Sequence, residues 1–462
     1  MMRSLYAGVA GLKTHQTRMD VIGNNIANVN TTAYKSQSMT FSDLMYQTTQ
    51  AASGANATTG VGGTNARQIG LGSKTSAIKT AITQQGATQT TNDPFDVMIT
   101  GESFFVVNNG SENFFTRDGS FYVDGAGNLA MTSTGYNVMG WLPDTEDPTT
   151  IKKDTVTALR VMTEANMTYP AQATSKATFA GIIDTNDTNV TSKEGRVVNL
   201  EVYDNKGFKY TVRCSLHDAD NTKDDGVFFL QLDDILDSNG KSVVAAGAAL
   251  TDYVKFANAQ GPTADTTAYL RYSTKDGSFL SVGTDGTTTG QSTVSLDFNQ
   301  ANLPSFDDIT ADFSATSNQN NNGSSTFVGS KGGSKGIGSG RKVGEMSGIA
   351  IQKDGKIYAS YDNGQKRLLG QIAVASFSHA SGLSKEGDNL YSATQNSGDF
   401  NGVGEDITEG GGYMNSGVLE MSNVDLSAEF TEMITTQRGF QANSRIITVS
   451  DTLLEELTNL KR

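Results

Sequence analysis

One cysteine, one tryptophan, three histidines and six prolines are spread over 462 residues. With Cys214 as the single thiol, no intramolecular disulfide can hold the fold, so no oxidising compartment is required. Cys214 reads as a small hydrophobe within a strand. His15, His217 and His379 lie far apart, and none has a cysteine or second histidine at metal-ligand spacing. Each reads as an exposed or hydrogen-bonded imidazole, and no metal site is expected. Charged residues are only 18%, with a formal net charge of -14. That sign repels phosphate backbones and anionic lipid, which argues against nucleic acid and against membrane insertion. No apolar run is long enough to span a bilayer, and Thr14, His15, Gln16 and Asp20 interrupt the N-terminal apolar residues where a secretory core would run unbroken. On these features alone the chain reads as cytoplasmic.

Enzyme signatures are equally sparse. Gly-x-Ser-x-Gly, His-Glu-x-x-His and a carboxylate pair in a shared apolar setting are all absent. Asp218, Asp220, Asp224 and Asp225 crowd together, but Lys223 stands where a calcium loop needs glycine and no closing glutamate follows, so a solvated turn is expected. Residues 332–336 lack the Gly-Lys-Ser/Thr ending of a phosphate loop and follow no apolar strand, so they read as linker. No catalytic residue, cofactor or enzymatic activity is expected.

What the chain does have is glycine, 50 residues of it, with abundant threonine, serine and asparagine. That composition is turn-rich and β-leaning, and the length calls for two to four domains. The two ends differ from the rest. Leu426, Phe430, Met433, Phe440, Ile447, Leu454 and Leu457 step by threes, fours and sevens, the period of one helix face, and Ile446, Leu453 and Leu460 widen it. Ser422, Asn423 and Asp425 offer capping oxygens, Lys461 and Arg462 complement the dipole, and Gly439 costs about 1 kcal/mol relative to alanine. Leu5, Val9, Leu12, Met19, Ile22, Ile26 and Val29 repeat the same spacing at the other end. Two such stripes imply that the termini meet and pack as a coiled coil. Asn24, Asn25, Asn28, Gln437, Gln441, Asn443 and Ser444 flank them where a solitary helix pair would carry lysine and glutamate, which favours side-by-side packing with identical copies.

The run Gly23-Asn24-Asn25-Ile26-Ala27-Asn28-Val29-Asn30-Thr31-Thr32-Ala33-Tyr34-Lys35 resembles the amino-terminal signature of the flagellar rod and hook proteins, with Ala33 where glycine is usual. Ser422-Asn423-Val424-Asp425-Leu426, Glu429-Phe430, Met433-Ile434 and Gln437-Arg438-Gly439-Phe440-Gln441-Ala442-Asn443-Ser444 are similar to their carboxy-terminal signature. The resemblance implies a self-assembling subunit exported through a type III apparatus without a cleaved signal peptide, hence extracellular. Its partners would be further copies of itself, the rod, the hook cap and the hook–filament junction proteins. Rod subunits of the family have a short middle and hook subunits a large outer β region, so the long middle here implies a hook subunit forming a flexible, torque-transmitting tube. The alternatives are a distal rod subunit, a secreted β-rich adhesin and, last, a carbohydrate-active enzyme. Some hook proteins cross-link through cysteine, but no local motif carries that over to Cys214.

The expected fold is mainly β with a terminal α-helical coiled coil, nested discontinuous β domains lying between paired N- and C-terminal helices. Residues 1–35 and 420–462 form the helical domain, with an assembly face of Leu5, Val9, Leu12, Met19, Ile22, Asn24, Asn25, Ile26, Asn28, Leu426, Phe430, Met433, Gln437, Phe440, Asn443, Ile447, Leu454 and Leu457. Residues 36–75 read as a flexible connector, a short helix over 36–46 and then a small-residue joint. Residues 76–145 and 344–419 form one discontinuous inner β domain, with hairpins at Asp118-Gly119, Asp124-Gly125, Asp354-Gly355 and Asn363-Gly364. Residues 146–343 form one or two outer β modules with strands over 197–202, 210–216, 227–232, 268–272 and 293–298, and 318–340 is a loop.

Overall fold

A computed structural model describes residues 2–54, 60, 62–219, 225–257, 264–283 and 290–460. It divides into two compact units, one of residues 1–166, 348–360 and 366–462, the other of residues 167–347 and 361–365.

In the first unit the N-terminal helix Met2–Ala27 lies beside the C-terminal helix Leu426–Asn459. Asp425 caps the latter, its carboxylate accepting from the backbone N–H groups of Ser427 at 2.9 Å and Ala428 at 3.3 Å. Of the three expected capping residues only Asp425 acts so; Asn423 instead accepts from the N–H of Ser36 and donates to the carbonyls of Ala81 and Gln84. Lys461 and Arg462 lie outside the described residues.

The expected helix over 36–46 is a strand. Gln37–Asp43 pairs antiparallel with Ser73–Thr80, and Tyr46–Gln50 with Arg67–Gly70. Thr40, Phe41 and the threonines of 48–49 favour extended backbone, and ladder pairing overrides the weak helical spacing of Phe41, Leu44 and Met45. The connector thus carries two antiparallel pairings; its residues 55–59 and 61 lie outside the described set.

Early and late strands share one sheet. Phe104–Asn108 is flanked by Asn113–Thr116 and Asn137–Trp141; Leu390–Ser392 pairs with Asn113–Thr116, and Lys366–Ile372 with Asn137–Trp141. Phe104, Val106, Phe115 and Tyr391 pack on one face, with Phe115 4.7 Å from Phe377 edge to face. Each such buried side chain contributes about 1.5–3 kcal/mol of transfer free energy. The Asp124-Gly125 hairpin joins Phe121–Val123 to Leu129–Met131. The Asp118-Gly119 hairpin does not form: Asn113–Thr116 and Phe121–Val123 pair with other strands, and Gly119 passes so close to Val97 that a Cβ would stand 1.6 Å from its carbonyl oxygen. The boundary expected at residue 146 falls near 167, because Val156, Leu159 and Val161 are buried in this unit and Leu159 bridges the backbones of Leu129 and Val138.

The second unit is a sandwich of two sheets around one hydrophobic cluster. One sheet orders as Ala264–Asp265, Val254–Ala257, Thr293–Phe298, Ile309–Asn318, Lys176–Ile183 and Val328–Lys331; the other as Arg196–Tyr203, Lys209–Asp218, Val227–Leu236, Thr267–Tyr272 and Phe279–Gly283. Thr267–Tyr272 and Thr293–Phe298 bury every second residue, the signature of a one-sided strand. Phe179 stacks on Phe313 with centroids 4.6 Å apart. The loop or linker expected over 318–340 contains the strand Val328–Lys331, preceded by Phe327, the one aromatic residue of that polar tract, which is buried. Asp220, Lys223 and Asp224 of the acidic cluster lie outside the described residues.

Candidate assembly interface

The two terminal helices run antiparallel. Gly8 faces Ile447, Gly11 faces Asn443, His15 covers Gly439, Arg18 binds Glu432 at 3.1 Å, and Asn25 binds Glu429 at 2.8 Å. Small and polar residues thus share the seam with members of the apolar stripes, Ile446 and Ile447 lying against Gly8. Gly8, Gly11 and Thr14 on one helix and Thr436 and Ser450 on the other are the buried positions, together with Ile22 and Asn25. A Cβ on Gly11 would stand 2.8 Å from the side chain of Asn443. Glycine lets the backbones approach closely, while Val9, Leu426, Phe430 and Leu457 of the stripes stay exposed.

Of the expected assembly residues, Ile22 and Asn25 are buried in this subunit. Leu5, Leu12, Met19, Ile26, Asn28, Met433, Phe440, Asn443, Ile447 and Leu454 are half-buried. Val9, Asn24, Leu426, Phe430, Gln437 and Leu457 are exposed. Exposure reaches 51% at Val9, 51% at Phe430, 58% at Ile434 and 57% at Val449, large apolar side chains on a long helix with nothing over them.

The base of the helix pair is held by a buried polar network that periodicity does not reveal. Glu420 Oε1 accepts from Lys35 Nζ at 2.7 Å and from the N–H of Gly86 at 2.9 Å. Arg117 Nε lies 3.6 Å from Glu420 Oε2, and its Nη atoms donate to the carbonyls of Ser103 and Gly101. Burial pulls Lys35 below the ordinary lysine value, with Glu420 opposing, and pulls Arg117 down likewise. Asn25 Oδ1 accepts from the N–H of Gln37 and from the Tyr34 hydroxyl, while its Nδ2 reaches Glu429. Ala33, at the position where the motif usually has glycine, has φ of 54° and is buried, the left-handed conformation that glycine adopts without cost.

Ser215 Oγ donates to Asp233 at 2.9 Å and lies 3.0 Å from His217 Nε2. In a nucleophilic triad the carboxylate orients the histidine; here it binds the serine, and His217 stacks flat on Phe229. His15 packs edge-on to Phe41, and His379 is exposed. Among the described residues no cluster of three metal-ligating side chains occurs, and no helix is long and apolar enough to cross a membrane.

Three family models match the chain: flagella basal body rod protein over residues 5–35, flagellar hook protein FlgE/F/G D1 domain over 98–177, and flagellar basal body rod FlgEFG protein C-terminal over 415–460. They cover the N-terminal helix with its base, Arg117 with its surroundings, and the C-terminal helix. The chain is 34% identical over 489 residues to the flagellar hook protein FlgE of Treponema pallidum, covering 100% of both. It is 34% identical over 483 residues to that of Borreliella burgdorferi, again covering 100% of both. The flagellar basal-body rod protein FlgG of Bacillus subtilis is 28% identical over 462 residues, with 100% of both chains covered. The chain belongs to the flagellar hook protein FlgE family and is a structural subunit of the flagellar hook.

Proposed function

We propose that copies of this chain polymerise head to tail into a flexible helical tube, terminal helices on its inner wall and β portions outward, which passes torque from rod to filament. One contact repeated without closure gives a helical filament. The observation that carries this reading is the uncovered apolar row of the C-terminal helix, Phe430 and Ile434 near one end and Val449, Leu453 and Leu457 near the other. A neighbouring copy that covered each of these side chains would contribute about 1.5–3 kcal/mol apiece. The assembly face comprises the exposed and half-buried members of the expected set. The subunit reaches the cell exterior through a type III export apparatus without a cleaved signal peptide, meets rod, hook cap and hook–filament junction proteins, and has no enzymatic role.

The test replaces Phe430 and Ile434 together by serine. Under salt conditions where the parent builds tubes visible by electron microscopy, the double variant should remain monomeric by light scattering with unchanged circular dichroism. Tubes of normal length from the variant would overturn the reading.

A further inference from the structure

We infer that Asn239, followed by Gly240, is a site of spontaneous covalent change: its side-chain amide is lost through a cyclic imide, leaving an aspartyl or isoaspartyl residue at an exposed turn of the second unit. The inference concerns single chains and holds or fails independently of the polymer reading.

The chain has five Asn-Gly pairs, with asparagine at residues 109, 239, 322, 363 and 401. In such a pair the backbone nitrogen of the glycine attacks Cγ of the asparagine, because no Cβ obstructs the approach. A C–N bond forms and the Nδ2 amide leaves as ammonia, taking the proton that the attacking nitrogen gives up. Water then opens the ring at either carbonyl, so that one water is consumed for each ammonia released. No oxidant or cofactor is needed. The step does need a carboxamide free to turn and a nitrogen free to lose its proton, so the fold decides which pair reacts.

Four pairs are held. Asn109 Oδ1 accepts from the N–H groups of Ser111 at 2.9 Å and Glu112 at 2.8 Å. Asn401 Oδ1 likewise accepts from Val403 at 3.0 Å and Gly404 at 3.3 Å. Asn363 is fixed at both atoms, Oδ1 accepting from Gln365 N–H and Nδ2 donating to the Lys342 carbonyl, each at 3.1 Å. At Asn322 the nucleophile is held instead: Gly323 N–H donates to Asp184 Oδ2 at 2.7 Å. A carboxylate in that place opposes the negative charge that would form on the nitrogen.

Asn239 differs from all four. It is exposed, and its carboxamide has no hydrogen-bond partner among the described residues. A Cβ built on Gly240 would meet nothing within 4 Å, so the ring has room to close. Gly240 N–H does donate to the Asp237 carbonyl at 3.0 Å, but the bond lies in an exposed turn and opens locally. Asp237 Oδ1 shapes that turn by accepting from the N–H groups of Asn239 at 2.8 Å and Lys241 at 2.9 Å. An isoaspartyl linkage puts one more methylene into the main chain between these two donors, and either product adds a negative charge beside Asp237. The converted fraction grows with time since synthesis, which makes the residue a record of a copy's age.

Peptide mapping by mass spectrometry of the full-length protein kept in native buffer tests this. The peptide carrying Asn239 should gain the mass difference between an amide and a carboxylic acid and split into two chromatographic forms, faster at higher pH because the attacking nitrogen must lose its proton. Each hydrogen bond that must open first lowers the reactive population about fivefold, so Asn239 should convert at least about fivefold faster than any of the other four. Conversion no faster at Asn239 than at the others overturns the inference. In urea the five pairs should draw level; a lead that Asn239 keeps undiminished there would assign the selectivity to neighbouring sequence and overturn it as well. Asn239→Gln should remove the product with the melting midpoint unchanged, whereas the same peptide changing at the parent rate would place the reaction on another residue and sink the assignment.

Discussion

His15 lies across Gly439: a Cβ added to that glycine would stand 2.6 Å from the imidazole. The two residues come from opposite ends of the chain, and the contact explains a glycine in mid-helix that costs about 1 kcal/mol against alanine. Close approach of the two backbones outweighs propensity at this point. Phe41 stands edge-on behind the imidazole, 5.5 Å between centroids, and limits its retreat. Gly439→Val should therefore destabilise the helix pair by about 1–3 kcal/mol through overpacking. Thermal melting followed by helical circular dichroism would show a lower midpoint; an unchanged one would mean the seam accommodates the branch by sliding.

Ala33 offers the opposite case. Its φ of 54° costs an L-residue about 1–2 kcal/mol, which Ala33→Gly relieves. Against this stand about 0.8 kcal/mol for the lost methyl burial and about 0.5–1 kcal/mol for the freer unfolded chain. The sum is near zero, so Ala33→Gly should melt close to the parent. Ala373, equally buried but without a positive φ, has no such relief, and Ala373→Gly should melt several degrees lower. Denaturant titration of both variants checks the contrast; equal losses would refute the strain argument.

The helices and most strands were legible because their periods are written in side chains that repeat. Thr293–Phe298 and Thr267–Tyr272 alternate in sequence as they do in burial. The family signatures at both ends were equally plain. The seam was not legible, because amphipathic spacing identifies an apolar face without saying which partner covers it. Gly8, Gly11 and Thr14, three residues apart, were the available signal for close backbone contact. Lys35, Arg117 and Glu420 were out of reach for another reason: an ion cluster assembled from three sites far apart in the chain, Lys35 and Glu420 separated by 385 positions, has no local pattern. The Asp118-Gly119 turn was misread because a sequence turn signal does not tell which strands it serves.

Cys214 sits on the inner face of Lys209–Asp218, buried at 2% exposure, and burial, with Asp233 adding, pushes its thiol well above the ordinary range. A thiol held protonated and out of solvent is a poor nucleophile. The native chain should therefore leave a thiol reagent unconsumed and gain about one equivalent of reactivity only when its sandwich unfolds. Labelling across a urea gradient would follow this, and the labelling midpoint should coincide with loss of β signal. Prompt labelling in native buffer would reopen the idea of a cysteine cross-link between subunits.

Two titratable groups give the helix seam a pH dependence of opposite signs in different ranges. Burial, and then the Arg18 guanidinium, hold the His15 imidazole below its ordinary value. Arg18 is itself bound to Glu432 across the seam, and Phe41 and Gly439 supply the remaining apolar contacts. Below about pH 6.5 the unfolded chain takes up a proton that the folded seam resists, so the unfolded state binds more protons and stability decreases as pH is lowered. Glu429 behaves inversely: burial first, then Glu432 and Asp425, raise its carboxyl, while Asn25 and Arg18 pull it down. It holds its proton more tightly folded than unfolded, so its contribution is largest below the ordinary glutamate value of about 4.3 and is lost as pH rises through its raised folded value. Between about pH 7.5 and pH 5.5 the histidine dominates. His15→Gln should flatten the decline of the helix-pair melting midpoint over that interval, whereas Glu429→Gln should leave the decline intact. A decline that persists undiminished in His15→Gln would assign it to another group.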